Sequence, residues 1–196
     1  MTAGTPDPRA FAELLAGYCL EVRPQQRIVV RSTTQATPLL LELQRSILER
    51  DAWPTIHVEL PGQARGFYEH AHAVQLDDYD ELAMAEAKEL SAVLGIQAPY
   101  TPHEFAGVDP ALIARAARSR QPVRERTMKR RWCSTLWPTA AGAEQAGLPL
   151  AEFAAFVERA LFLDQPDPVA AWQGLSAFQA SLIERLRGVR ELRIEA

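Results

Sequence analysis

The residues whose types could do chemistry are few. His70-x-His72 has the composition of a chelating pair, with Glu69, Asp77 and Asp78 close by. A metal ion takes three or four ligands that converge on one point. On a helix, residues two apart point to different sides, so this segment reads as solvated polar residues. His57 and Glu59 do share one face of a strand, but two donors are not a site and no third is assigned to them. His103-Glu104, in a proline-flanked loop, gives the same weak signal. The sequence therefore nominates no catalytic, cofactor-binding or metal-ligating residue.

The nucleophiles lead no further. No G-x-S-x-G elbow is present. The two cysteines, Cys19 and Cys133, are no disulfide framework. Cys19 falls on the apolar face of a helix. Cys133, between Trp132 and Ser134 in an apolar strand, reads as a small buried side chain. A nucleophilic cysteine needs a base and an electropositive setting, and the sequence places neither there.

Two segments could bind anions. Ser32-Thr33-Thr34-Gln35-Ala36-Thr37 follows the first strand, where doubly wound folds hold ligands. It has no glycine, so it is neither a P-loop nor a dinucleotide fingerprint. Its hydroxyls could hold an anion at a helix N-terminus, or simply cap that helix. From Arg115 to Arg131 run eight basic residues (Arg115, Arg118, Arg120, Arg124, Arg126, Lys129, Arg130 and Arg131) against one acid, Glu125. Such a run could track phosphates. No aromatics interleave it before Trp132, and the whole chain carries a net charge of -4. A solvated helix face, with no nucleic-acid partner, is the plainer reading.

The elements that would position these residues are legible from pattern. Asp7-Pro8 starts a helix, an acid cap followed by proline, with Phe11, Leu14, Leu15, Tyr18, Cys19 and Val22 on one face. Arg27 to Val30 is a short buried strand. Thr37-Pro38 opens a second helix. Thr55 to Leu60 alternates, as a half-exposed edge strand does. A helical stretch from Gln63 to Lys88 follows, with a break at Leu76-Asp77. Ala92 to Ile96 is a third strand, Asp109-Pro110 another helix start, and Trp132 to Trp137 a fourth strand closed by Pro138. Pro149 to Phe162 is helical. Asp167-Pro168 opens a long helix that turns Trp172, Leu175, Phe178, Leu182 and Leu186 inward. Val189 to Glu195 alternates once more.

Strands alternating with helices imply a mainly parallel sheet covered on both faces. The expected class is α/β, with flavodoxin-like strand order and a helical C-terminal third. Residues 1–188 form the α/β domain; 189–196 read as the first strand of something further. The chain has 196 residues, 47% of them hydrophobic and 23% charged, enough for a sizeable core. No apolar run is long enough to span a membrane, and the N-terminus lacks the pattern of a secretory signal. With so few cysteines, a reducing cytoplasm is the simplest setting. The sequence has no asparagine and only two lysines, Lys88 and Lys129. Heat adaptation or a GC-rich genome would each give that bias.

Several segments resemble the thermophilic metallo-aminopeptidases, the aminopeptidase T or leucyl aminopeptidase type. They are Phe11-Ala12-Glu13-Leu14-Leu15 through Val29-Val30-Arg31-Ser32, then Leu60-Pro61-Gly62. The most specific is Arg131-Trp132-Cys133-Ser134-Thr135-Leu136-Trp137-Pro138-Thr139. Glu144-Gln145-Ala146-Gly147, Phe153 to Phe156, Leu163-Asp164 and Asp167-Pro168-Val169-Ala170-Ala171-Trp172 complete a resemblance over nearly the whole chain. It implies an exopeptidase that removes N-terminal amino acids from peptides, working as a two-domain homodimer. Two divalent metal ions, zinc or cobalt, would activate a bridging water. The family's ligands lie in the C-terminal domain, which would begin about where this chain stops, and none maps onto a residue here. The resemblance thus implies an N-terminal domain that serves as scaffold, dimer support and a wall limiting access, with the C-terminal catalytic domain as its partner. The competing expectation is a stand-alone binding module for a small anion at Ser32 to Thr37.

Overall fold

A computed structural model describes residues 5–194. Four strands form one parallel sheet, β1 (Arg27–Thr33), β2 (Trp53–Glu59), β3 (Ala92–Gln97) and β4 (Arg131–Leu136), in the order β2-β1-β3-β4. This is the expected flavodoxin-like order, with β2 at an edge. The register sets Val30 beside Ile56 and Leu94, and Leu94 beside Cys133.

The helices begin where local chemistry says they should. In α1 (Pro8–Glu13), Asp7 accepts a 3.0 Å hydrogen bond from the Arg9 amide and proline fills the first position. The helix then widens into a π-helical stretch, Leu14–Cys19. Asp109 caps α6 (Pro110–Ser119) and Asp167 caps α10 (Pro168–Leu186) in the same way. The helix α2 (Thr37–Leu48) buries Leu39, Leu40, Leu43 and Ile47.

One face of the sheet carries the core. Ile28 and Val30 of β1 and Leu94 and Ile96 of β3 pack against Phe11 and Leu15, the α2 leucines and Trp137. Phe11 and Trp137 stack with ring centres 6.5 Å apart. Gly17 admits the Arg50 guanidinium, which would stand 3.2 Å from any Cβ placed there. Arg50 reaches the Ser46 carbonyl and hydroxyl and the Glu13 carboxylate. The other face buries far less, chiefly Val29, Leu90 and Val93, under α5 (Glu81–Glu89) and α7 (Gln121–Met128).

Four expectations need correction. The stretch from Gln63 to Lys88 is three helices, α3 (Gln63–His70), α4 (Ala73–Asp77) and α5, so the breaks fall at 71–72 and 78–80. Leu76 is a buried residue inside α4, and Asp80 ends the gap by capping α5 through the Leu82 amide. Second, α8 (Ala140–Ala146) was not expected. Its alanines show no apolar period, but Thr139 caps it through the Gly142 amide and left-handed Gly147 closes it. Third, α10 does not turn its apolar residues inward. Trp172 is half-buried and donates its indole N–H to the Leu161 carbonyl, while Phe178 is 63% exposed and Leu182 and Leu186 are also exposed. Fourth, residues 189–194 form no strand. A strand is made by a partner's hydrogen bonds, and none of the four strands of the sheet provides them. Residues 195 and 196 lie outside the described residues. Between α8 and α10, α9 (Leu150–Ala160) buries Ala154 and Val157.

Candidate functional site

The parallel sheet ends in loops that gather at one edge of the molecule, the position where open α/β sheets bind ligands. A crevice of about 770 Å³ opens there. Its walls include Arg31, Thr33, His57, Glu59, Gly95 and Glu104. No atom lies within 4 Å of where a Gly95 Cβ would stand, so glycine keeps the floor low.

Tyr100 knits this rim together. Its hydroxyl accepts from the Thr34 amide at 2.9 Å, meets the Thr34 hydroxyl at 2.6 Å and donates to the Glu59 carbonyl at 2.9 Å. The loops after β1, β2 and β3 are thus tied at one oxygen. The hydroxyls of the Ser32 to Thr37 segment take part in the same bracing. Ser32 donates to the Ile96 carbonyl and Thr33 to the Ala98 carbonyl, while Thr33 also accepts from the Gln35 amide. Thr37 donates to the Thr34 carbonyl. Ser32 and Thr33 brace β1 to the loop after β3, Thr34 meets Tyr100 and Thr37 holds a turn.

Two clusters of charge flank the crevice. His57 and Arg31 both reach Glu86 of α5, Arg31 at 2.5 Å. Burial alone would raise the Glu86 carboxyl, but the hydrogen bonds from His57 and Arg31 outweigh it and hold Glu86 below the usual carboxylate range. On the other side Glu59 meets Glu104. Burial, then the Glu59 charge and a hydrogen bond with it, push Glu104 above that range. His57 and Glu59 share a face of β2 toward the crevice, as expected, and the fold adds a partner to each, Glu86 to His57 and Glu104 to Glu59. Arg31 and Glu86 were missed; an arginine interrupting an apolar strand was the available signal. His70, His72 and His103 are exposed and converge with neither cluster. The His72 amide donates to Gln75 at the start of α4.

Among the described residues, no group of three or more His, Cys, Asp or Glu side chains could hold a metal ion. The crevice offers two neighbouring carboxylates, Glu59 and Glu104, and one histidine already committed to a glutamate. That donor set does not fit a two-metal centre.

The basic stretch is divided among partners within the chain. Arg115 forks onto Asp77, with both contacts at 2.5 Å. Arg120 lies 4.3 Å above the Phe67 ring. Arg130 bonds the Lys88 carbonyl, and Arg131 bonds the Cys19 carbonyl and the Glu21 carboxylate. These residues therefore point to several sides and do not form one stripe. No helix among the described residues is long and apolar enough to cross a membrane.

The wild-type AmpT structure from Thermus thermophilus superposes with a TM-score of 0.70 at 20% identity, over 92% of this chain and 49% of that one. Aminopeptidase 2 of Geobacillus stearothermophilus is 27% identical over 194 residues, 90% of this chain and 46% of that protein. The chain thus spans about half the length of these relatives. The thermophilic metalloprotease (M29) family matches residues 7–196, so that, with the parallel sheet and its strand order in place, the chain belongs to that family.

Proposed function

We propose that this chain is the non-catalytic N-terminal domain of a metal-dependent aminopeptidase that removes N-terminal amino acids from peptides. It serves as a scaffold, supports a homodimer and walls the approach to an active site built elsewhere. The observation that carries this reading is a family match over nearly the whole chain beside a set of side chains that converges on no metal among the described residues. The lengths agree, since each relative is about twice as long as the matched portion.

The surface gives independent support. Phe178, Leu182, Ile183 and Leu186 of α10 and Leu192 and Ile194 beyond it are all exposed. Contiguous apolar surface of this kind marks a contact face. A C-terminal catalytic domain laid on α10 would cover it and give residues 189–194 the strand partner they lack here. That domain would hold the two divalent ions, zinc or cobalt, which polarise the peptide carbonyl and activate water. The working compartment in this reading is the cytoplasm.

The test is turnover and metal content of the purified chain. With leucine p-nitroanilide and added Zn²⁺ or Co²⁺, the expected result is no hydrolysis above buffer and no stoichiometric bound metal. Metal-dependent turnover abolished by His57→Ala or Glu59→Ala would contradict the proposal and place chemistry in the crevice.

A further inference from the structure

Cys19 and Cys133 are far apart in sequence and meet in the fold. Cys133 stands on the core face of β4, beside Leu94 in register, and both cysteines pack against the same core cluster. Arg131, two residues earlier on that face of the strand, reaches across to the backbone of the same helix end. Its Nε donates to the Cys19 carbonyl at 3.1 Å, and its terminal nitrogen meets the Glu21 carboxylate at 2.7 Å. The Arg131 clamp therefore fixes the helix end against β4, and the next side chain along the face, Cys133, falls against the Cys19 side chain. The two thiols stand close enough for each to shift the other's acidity, and the Cys133 sulfur also lies 4.0 Å from the Ser134 carbonyl. Both residues are half-buried, not sealed, so a small oxidant can reach them.

We propose that Cys19 and Cys133 are a reversible thiol pair that closes to an intramolecular disulfide when a peroxide reaches it, fastening the N-terminal helix to the edge strand β4. Both thiols have the same half-buried setting, so either can attack first; with Cys133 first the path runs through a Cys133 sulfenic acid. The Cys133 thiolate attacks one oxygen of hydrogen peroxide, the O–O bond breaks, and a sulfenic acid and water result. The Cys19 sulfur then attacks the sulfenic sulfur, the S–O bond breaks, and a second water leaves with the Cys19 proton. Overall two thiols lose two electrons and two protons and one peroxide is reduced to two waters. Thiol exchange with dithiothreitol reverses the step.

This is a modification site and needs no metal. The resting reduced state suits a reducing compartment, where protein disulfides are transient or sensing. The consequence is stability at β4: the bond closes a long loop, which constrains the unfolded chain strongly.

The experiment treats the purified chain with hydrogen peroxide, alkylates it with iodoacetamide and reads its mass and non-reducing tryptic map. The proposal expects loss of two hydrogen atoms, no alkylation, and one cross-linked species joining the peptides over residues 10–27 and 132–159. Dithiothreitol should restore two alkylatable thiols. The oxidised form should melt about 5–15 °C higher. Either single variant, Cys19→Ser or Cys133→Ser, should lose the intramolecular cross-link and stop its remaining sulfur at the sulfenic or sulfinic acid. Two alkylatable thiols after oxidation would overturn the proposal, as would cross-links found only between chains. The mass of the unmutated chain decides the point even if a variant folds poorly.

Discussion

The molecule has two unlike regions. On the side of α1 and α2 its side chains interdigitate into a closed core in which Phe11, Leu39, Leu43, Ile47 and Leu94 are fully buried. Around α10 the same kinds of residue stand in solvent. Phe178 and Ile183 are as apolar as anything in the core, yet 63% and 65% exposed. The first region is complete within this chain and its residue types explain themselves by burial. The second has the composition of a contact face, in keeping with the proposed domain role, because exposed large apolar side chains have no return in folding free energy.

That contrast can be broken by substitution. Phe11→Ala or Leu94→Ala should each cost about 3–5 kcal/mol and lower Tm by roughly 10 °C. Phe178→Ala should change stability by less than about 0.5 kcal/mol. Paired thermal melts decide it, and equal losses in both regions would erase the distinction.

At the rim of the crevice the effects shrink. Tyr100→Phe removes the oxygen that ties three loops and leaves the Thr34 amide and Glu59 carbonyl short of a partner. A loss of about 1–2 kcal/mol in chemical denaturation is expected. Thr139→Ala, which uncaps α8, should cost about 1 kcal/mol.

The carboxylates separate by sign. Glu104 is raised in the folded chain, so its protonated form is favoured there. Its contribution is present in acid, below the unfolded value, and is lost as pH climbs through the folded one. Glu104→Gln should therefore raise Tm near pH 7 by about 1–3 °C and do little at pH 4. Glu86 and Glu13 are lowered. Burial opposes their ionisation, but Arg31 with His57, and Arg50 with Ser46 and Arg45, outweigh it. Their stabilisation holds above the unfolded value and fades as pH falls through the folded ones, so melts of the Glu86→Gln variant should converge with those of the parent chain in acid. The exposed pair Arg65–Glu69 should be worth the least, within about 0.5 kcal/mol.

Legibility followed the range of the interaction. Asp7-Pro8, Asp109-Pro110 and Asp167-Pro168 marked helix starts because a cap and a fixed φ act within three residues. The apolar runs of β1 and β3 announced strands buried on both faces. The helix α8 hid because Thr139 caps a run of alanines with no period to detect. The Glu59–Glu104, Glu86–His57 and Cys19–Cys133 meetings hid because each joins distant segments, which only the strand order brings together. The inward face expected of α10 failed for a different reason. Periodicity shows that a helix has an apolar side, but not which surface that side meets.

The most direct measurement is native-state hydrogen exchange, residue by residue. Amides of β1, β3 and α2 should exchange only through global unfolding. Those in the second half of α10, residues 177–186, should exchange through local opening at least about a hundredfold faster. Protection in α10 equal to that in β3 would contradict the account, because that helix would then be held within this chain and would need no further surface.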